Sequence, residues 1–247
     1  MSMTIIPEPA RPKTEVAVFR ALEAALAYAI ADEKALIAAR DTWDRLAGKI
    51  HDDEPLYEER AAAFLEWYAL DHEAGDQPPP VERLILERSA RAPAPAMPAT
   101  ETPPAATSID PDFEIASLTA LAASHRSLFR VREITSDVLL LDDLWGGATF
   151  RARERRQLAG VGKGEIFDAR LVADVERPPE LLLTRIVCVH PREAEDAIRA
   201  HVAHAKEAGD DRDALLFMLL RLRVQCERYR HVAPLRIYTA GERARKH

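Results

Sequence analysis

Histidines and acids in the last quarter of the chain are spaced in a way that could hold a metal ion. His201 and His204 lie three residues apart on a predicted helix, with Glu193 two turns earlier and Asp196 nearby. A protein metal site needs about three or four ligands, so a second element would have to supply the others. The sequence nominates none there, so we interpret this face as solvated and predict no metal or other cofactor.

Carboxylates and a thiol are the other residues that could carry catalysis. The densest carboxylates are residues 52–54 and the pair Asp142-Asp143. General acid–base catalysis needs two groups whose surroundings separate their pKa values, whereas consecutive acids beside turns are usually solvated or cap a helix. Cys188 lies near His190, but its apolar surroundings are typical of an unreactive core cysteine. We therefore predict no catalytic residue and no enzymatic activity.

Arginines give the clearest binding signal. Four arginines lie on a predicted strand and directly after it, namely Arg151, Arg153, Arg155 and Arg156. Three basic residues lie near the end of the chain, namely Arg243, Arg245 and Lys246. Small barrels often bind RNA or single strands through such faces, with aromatic side chains that stack on the bases. The predicted barrel has few aromatics, Phe129, Trp145, Phe150 and Phe167. Nucleic-acid or ribosome binding is therefore the alternative function.

The formal charge of −7 is distributed unevenly along the chain. Residues 51–90 contain eleven Asp and Glu against three Arg, whereas residues 221–247 contain eight Lys and Arg against two Glu. These acidic and basic segments could attract each other, or each could meet a separate partner. The leading hypothesis is a non-enzymatic interaction or adaptor protein with protein partners.

Cysteine content and hydropathy indicate the compartment. Two cysteines lie far apart in a chain of 247 residues, which is typical of reduced core residues in a cytosolic protein. The first 13 residues lack the apolar region of a secretion signal. No apolar run reaches the roughly 18 residues that a membrane span needs. We expect a cytoplasmic protein that does not contact a membrane.

The stretch from Phe129 to Val189 has the pattern of one small barrel. Residues 167–175 alternate between apolar and polar, as in a strand with one buried and one mostly solvated face. Gly146-Gly147 is a hairpin signal, because both positions tolerate positive φ. Other strand-like runs begin at Phe129, Val138, Thr149 and Leu181. Five short strands rich in turns predict an antiparallel SH3-like or OB-like barrel.

Helices and a linker account for the rest and complete an α+β fold. Residues 1–13 are predicted to be disordered, and residues 14–90 to form a helical module. Residues 91–108 contain five prolines and many alanines, which predicts a semi-extended linker. Residues 109–240 hold the barrel with its flanking helices, and residues 241–247 form a basic tail. The two modules could be independent, or the linker could wrap around one core.

The longest predicted helix begins at Glu15 and runs to Ala47 without glycine or proline. Its apolar residues recur at three- and four-residue steps, and Gly48 is a natural stop. Either this is one helix or a hairpin broken near Asp32, and we prefer the single helix. A helix of this length could pair with a copy of itself, so a homodimer is predicted as one arrangement.

Two more helices are predicted to pack on the barrel from its C-terminal side. The first begins at Pro191 and ends at Gly209, and the second is capped by Asp210 and Asp211. Residues 214–220 of the second are apolar on all sides, which predicts that residues 215–222 form a central buried helix. Residues 235–238 are expected to add one extended piece.

Several local patterns resemble those of a known group of proteins. They are Trp67, the step Leu141-Asp142-Asp143-Leu144 before a glycine hairpin, and Gly164-Glu165 before the strand at 169–172. Between Glu54 and Val189 the chain resembles uncharacterised bacterial proteins, some of which carry the cysteine-rich zinc motif SEC-C. The zinc motif is absent here, because two cysteines cannot form it. The resemblance implies a helical-plus-barrel fold and no zinc site.

Overall fold

The computed structural model describes residues 13–90, 111–154, 161–175, 177, 179–184 and 188–244. It describes their side chains except at residues 13–16, 111–112 and 241–244. The predicted linker and all of the predicted N-terminal segment except Lys13 therefore lie outside the described residues. The fold is α+β, as predicted, with a small barrel between N-terminal and C-terminal helices.

Five strands close into the barrel. β1 (His125–Ile134) pairs with β2 (Val138–Asp143) and with β4 (Ile166–Ala173), and β2 pairs with β3 (Thr149–Arg153). β5 (Leu181–Leu183) completes the ring, antiparallel to β4 and parallel to β3. An odd number of strands cannot alternate in direction around a closed ring, so the barrel is mixed and not purely antiparallel. Its strand order is that of the OB type, one of the two predicted types.

β1 is long enough to serve both halves of the barrel. Its first half pairs with β4 and its second half with β2, with an irregularity between Val131 and Glu133. A short strand, β6 (Cys188–Val189), pairs with β4 on its other edge. Inward-facing residues of the strands form a separate barrel core that includes Phe129, Val131, Leu141, Phe167, Ala169 and Leu171.

The predicted single N-terminal helix is wrong, because two helices occupy the stretch. α1 (Lys13–Ile30) and α2 (Glu33–Ala47) are separated by a turn at residues 31–32. The Asp32 carboxylate accepts a hydrogen bond from the Ala35 N–H at 3.0 Å, so it caps α2 at the break that the sequence also allowed. Both helices bury apolar residues in the core. The homodimer loses the long helix on which it was predicted, and it remains untested.

Three more helices complete the N-terminal side. α3 (Tyr57–Leu70) ends five residues before Gly75, and α4 (Pro80–Ala90) begins at a proline. α5 (Pro111–Ala122) leads into β1. Among the described side chains, the acidic and basic segments meet at an ion pair in which Arg228 donates from Nη2 to Glu54 at 2.8 Å.

The C-terminal helices follow the predicted order with one addition. A 3₁₀ turn precedes α6 (Glu195–Ala208), which ends at Gly209 in the left-handed conformation. α7 (Arg212–Arg228) is capped by Asp211 and is buried through residues 215–220, as predicted. The extended piece predicted at 235–238 is wrong, because α8 (Pro234–Ala244) covers it and the first part of the predicted basic tail. Ile237 and Tyr238 are buried against α6 and α7, which favours the helix.

One apolar core joins the two predicted modules. It contains residues of α1 to α5, Val172 and Leu182 of the barrel, and Phe217 and Leu220 of α7. The predicted solvated face of β4 is therefore wrong. Its residues Asp168, Arg170 and Val172 are buried, as is Asp174 directly after the strand, because helices cover the outside of this strand.

Candidate binding groove

A buried ion pair lies on the outer face of the barrel. Arg126 of β1 donates from Nε and Nη2 to the two carboxylate oxygens of Asp168, at 3.1 and 2.6 Å. Both residues are less than a tenth exposed, and this two-point geometry is among the strongest for ion pairs. Burial acts to lower the pKa of the Arg126 guanidinium, but the charge of Asp168 and its hydrogen bonds raise that pKa above its usual value.

Arg170, further along β4, is held by acids from the helical part. Its Nε donates to Glu66 Oε1 at 3.1 Å, its Nη1 donates to Ser124 Oγ at 2.8 Å, and its Nη2 donates to Asp71. Burial raises the pKa of Glu66, and the charge of Arg170 opposes that change. The cavity beside these groups holds about 20 Å³, which suits one water molecule. The network therefore links helices to barrel and leaves no room for a substrate.

A larger groove of about 810 Å³ opens next to the network. Residues of α3, β6, α7 and the start of α8 form its walls, and we call it the α3–α7 groove. Its apolar surface comes from Leu56, Ala63, Val189, Leu220, Val232 and Pro234. Its charged residues are Glu59, Glu165, Glu193 and Glu227 together with Arg60, Arg192, Arg223 and Arg230. The groove thus combines apolar surface with charges of both signs.

Arg60 of α3 lines the groove without an acidic partner. It is 3% exposed, and its Nη2 donates to the carbonyls of Ala47 and Gly48 at 2.9 and 2.8 Å, which caps the end of α2. Its guanidinium lies 5.4 Å from the centre of the Trp43 ring. Nε and Nη1 are buried with no hydrogen-bond partner. Burial lowers the pKa of Arg60 to about 10.

His190 follows β6 and also lines the groove. It is 2% exposed, and its Nδ1 lies 2.8 Å from the Tyr238 hydroxyl. Burial raises the pKa of Tyr238 well above its usual value, so the phenol keeps its proton. If the phenol donates to Nδ1, the hydrogen of the neutral ring is on Nε2. Nε2 is buried with no partner, and burial lowers the pKa of His190 to about 4.

Cys188 lies on the same side of the chain as His190, because they are two residues apart in an extended segment. Both line the groove. Burial and the nearby Asp168 raise the pKa of the Cys188 thiol to about 12. A protonated thiol beside a neutral imidazole is not an activated nucleophile. The interpretation of Cys188 as an unreactive cysteine fits this geometry.

A serine, an acid and a histidine meet near the start of the barrel, but their connection differs from that of a catalytic triad. Asp143 accepts hydrogen bonds from Ser127 Oγ at 2.6 Å, from His125 Nε2 at 2.9 Å and from the Trp145 N–H at 2.9 Å. In a triad the histidine stands between serine and acid. Here the acid stands in the middle and Ser127 is fully buried. Although burial opposes it, hydrogen bonds from Ser127, the Gly146 backbone and His125 hold the pKa of Asp143 below its usual value.

The predicted basic residues are only partly within the described chain. Arg151 is exposed on β3, and Arg153 pairs with Glu180 at 2.9 Å. Arg155, Arg156, Arg245 and Lys246 lie outside the described residues, and Arg243 lies in α8 where side chains are not described. The structure therefore places two of the seven side chains, both on one strand.

The barrel aromatics pack into the cores. Phe129 and Phe167 are fully buried, and Phe150 meets Phe129 at 6.1 Å between ring centres. Trp145 packs against the C-terminal core, with the Lys206 ammonium 5.8 Å from its ring centre. These contacts use the rings that a base-stacking surface would need.

The predicted solvated histidine face is wrong for His201. This residue is 1% exposed, and its Nε2 lies 2.9 Å from the Tyr238 carbonyl oxygen, to which it donates. His204 is partly exposed. Within the described residues, no group of three or more His, Cys, Asp or Glu is placed to hold a metal ion.

Sequence reasoning missed Arg60 and considered His190 only as a neighbour of Cys188. A signal for Arg60 exists, because it lies one and two helical turns before Phe64 and Trp67, on a face of α3 that is otherwise apolar. His190 has no such signal, since its hydrogen-bond partner Tyr238 is 48 residues away.

Comparison with known proteins adds no assignment to this geometry. The described helices include none that is long and apolar enough to cross a membrane. The resemblance to proteins related to the SEC-C group remains a prediction of the sequence. No family model, curated protein or solved structure matches the chain.

Proposed function

We propose that the protein is a non-enzymatic interaction module that binds a partner protein in the α3–α7 groove. The observation that carries this proposal is the groove itself. Its volume of about 810 Å³ is comparable to that of ligand sites. Its apolar residues surrounded by charges resemble the composition of protein interfaces.

Two further features support binding over bond-making chemistry. The titratable pair at the groove is a protonated thiol, Cys188, beside a neutral imidazole, His190, and neither is activated. The groove walls are also preorganised, because the Arg170 network ties α3 to β4. A rigid site loses little conformational entropy when it binds. We place this activity in the cytoplasm, where cysteines such as the free Cys188 and Cys226 stay reduced.

Site-specific photo-crosslinking in the native cell tests the proposal. Benzoylphenylalanine replaces Glu193 in the groove or, as a control, Arg132 on the outer face of β1. We expect a discrete adduct from position 193 and not from position 132. The protein identified in that adduct, once purified, should bind the wild type and not Ala63→Trp, whose indole fills the groove. The melting temperature of Ala63→Trp provides the folding control.

Four results would contradict the proposal. Equal adducts from positions 193 and 132 would mean that the groove is not the binding site, as would equal binding by Ala63→Trp. Substrate turnover that depends on a groove residue would mean that the protein is an enzyme. Salt-sensitive RNA binding that is lost in Arg151→Ala would instead favour the nucleic-acid alternative.

A further inference from the structure

We infer that the α3–α7 groove receives an acidic segment of its partner, whose carboxylates bind the Arg60 guanidinium and the Nε2–H of His190. This inference rests on the proposed function, namely that the groove binds a protein. It goes further by naming the chemistry of the bound segment and the residues that select it.

The first observation is a contrast among the buried arginines. The described residues include three arginines that are less than a tenth exposed, namely Arg60, Arg126 and Arg170. Arg126 faces Asp168, and Arg170 faces Glu66 and Asp71. Arg60 has no such pair, and its contacts are two backbone carbonyls and the Trp43 ring. A buried charge is normally paired with an opposite charge, and Arg60 is a buried arginine for which the fold supplies no carboxylate.

Capping of α2 explains only part of the Arg60 side chain. The contacts to Ala47 and Gly48 use Nη2 alone. Nε and Nη1 keep their hydrogens without an acceptor. The loss of buried hydrogen bonds is expensive for a protein, and it is rare in native structures. The cap on α2 and the contact with the Trp43 ring therefore leave two of the three Arg60 nitrogens without a hydrogen-bond acceptor.

The second observation is a donor from another element. His190 lines the same groove, and when the Tyr238 hydroxyl donates to its Nδ1, the hydrogen of the neutral ring lies on the unpartnered Nε2. Two buried groups from α3 and from the end of β6 thus offer donors and no acceptor. Such a site is complementary to an acceptor with negative charge.

The charge of the groove favours a carboxylate over a phosphate. Arg60 supplies one buried positive charge, and His190 is neutral near pH 7. Four glutamates also line the groove, and they would repel the nearly doubly charged phosphate group more strongly than a carboxylate. Asp or Glu side chains of a peptide fit this pattern.

Peptide display tests the inference with a stated probe. A phage library of random dodecapeptides is selected against the full-length protein, and enriched peptides are measured by fluorescence anisotropy. We expect the enriched peptides to share an Asp or Glu. Its change to Asn or Gln should weaken binding to the wild type by about 10- to 100-fold. The same change should have little effect on binding to Arg60→Met, because the partner of the carboxylate is gone.

Arg230→Met is the matched control, because it removes the same charge from an exposed position of the groove. It should bind the peptides within about threefold of the wild type. His190→Phe should weaken binding of acidic peptides more than Arg230→Met does. Equal weakening by Arg60→Met and Arg230→Met would overturn the inference, as would enrichment of peptides without an acid or no enrichment at all.

Ala63 provides a second test that leaves the α2 cap intact. Ala63 lines the groove three residues after Arg60 on α3, so Ala63→Glu offers Arg60 a carboxylate from its own helix. This variant should bind acidic peptides at least about tenfold more weakly than Ala63→Gln, which has the same shape without the charge. Equal binding by the two variants would refute the inference even if Arg60→Met failed to fold.

The two proposals fail in distinguishable ways. If position 193 still crosslinks to a specific protein but Arg60→Met binds that protein normally, the groove is an interface and the carboxylate site is wrong. If position 193 gives no specific adduct and no peptide is enriched, both proposals are wrong.

Discussion

The buried network between α3 and β4 gives a stability prediction whose size follows from its geometry. Arg170 Nε lies 3.1 Å from Glu66 Oε1. At that distance, with an effective dielectric constant of about 20, the attraction is about 5 kcal/mol. Removing one partner of a buried pair costs about 3–5 kcal/mol, because the other charge stays buried and unpaired. Arg170→Met should therefore lower the free energy of unfolding by about 3–5 kcal/mol.

Urea unfolding followed by circular dichroism measures this loss against a matched control. Arg132 pairs with Asp142 at 2.8 Å, but its side chain is 57% exposed, so Arg132→Met should cost about 0–1 kcal/mol. The double variant Arg170→Met/Glu66→Gln should recover about 1–3 kcal/mol relative to the sum of its single changes. The loss in Arg170→Met should also shrink at low pH, because burial raises the pKa of Glu66 and the stranded carboxylate takes up a proton.

Two outcomes would refute this reasoning. A loss below about 1 kcal/mol in Arg170→Met, equal to that in Arg132→Met, would mean that water screens the network. Separate unfolding transitions for the helices and the barrel would contradict the single core that contains residues of α1 to α5, the barrel and α7.

Three other predictions concern single groups. Burial lowers the pKa of His190 to about 4, whereas a histidine in the unfolded chain has a pKa of about 6.5. As the pH drops from about 6.5 to 4, the unfolded chain takes up the proton first, so the free energy of unfolding should fall. In urea titrations across this range, His190→Gln should lose about 3 kcal/mol less than the wild type. In Gly146→Ala, the new Cβ would lie 2.5 Å from Asp143 Oδ2, so the free energy of unfolding should drop by about 2 kcal/mol. Gly147 lies in open space at φ +77, so Gly147→Asn should cost less than about 1 kcal/mol. The Cys188 thiol is partly exposed, but its pKa is raised to about 12, so it should react with iodoacetamide at pH 7.5 far more slowly in native protein than in urea. Equal rates would refute the raised pKa.

The barrel could be predicted from the sequence because local patterns determine it. Alternation in β4 and the glycine pair at 146–147 act within a few residues, and the strands lie close to where these signals place them. The sequence pattern did not reveal what lies on the second face of β4. Asp168 and Arg170 have the polarity of a solvated face, but their charges are compensated by Arg126, Glu66 and Asp71 from distant parts of the chain.

The helix errors have a similar cause. The long predicted helix is interrupted at Asp32 although no glycine or proline lies there. The Asp32 carboxylate instead accepts a backbone hydrogen bond at the start of α2 and caps that helix. Residues 235–238 look extended by composition, yet Ile237 and Tyr238 are buried as one helical face against α6 and α7. Tertiary packing decides between helix and strand in such a short segment.

The buried charges explain why the groove, and not the ion network, is the candidate site. The fold brings acids from distant segments to Arg126 and Arg170, so this chain pairs buried arginines with its own carboxylates at two positions. Arg60 is buried to the same degree, but its hydrogen bonds go only to backbone carbonyls, and it lines the α3–α7 groove beside the network. Unmet polar groups destabilise a fold, and they are expected where binding supplies the missing partner. The position of Arg60 therefore indicates a site completed by another molecule, and the carboxylate that compensates the other two buried arginines is the group that would complete it.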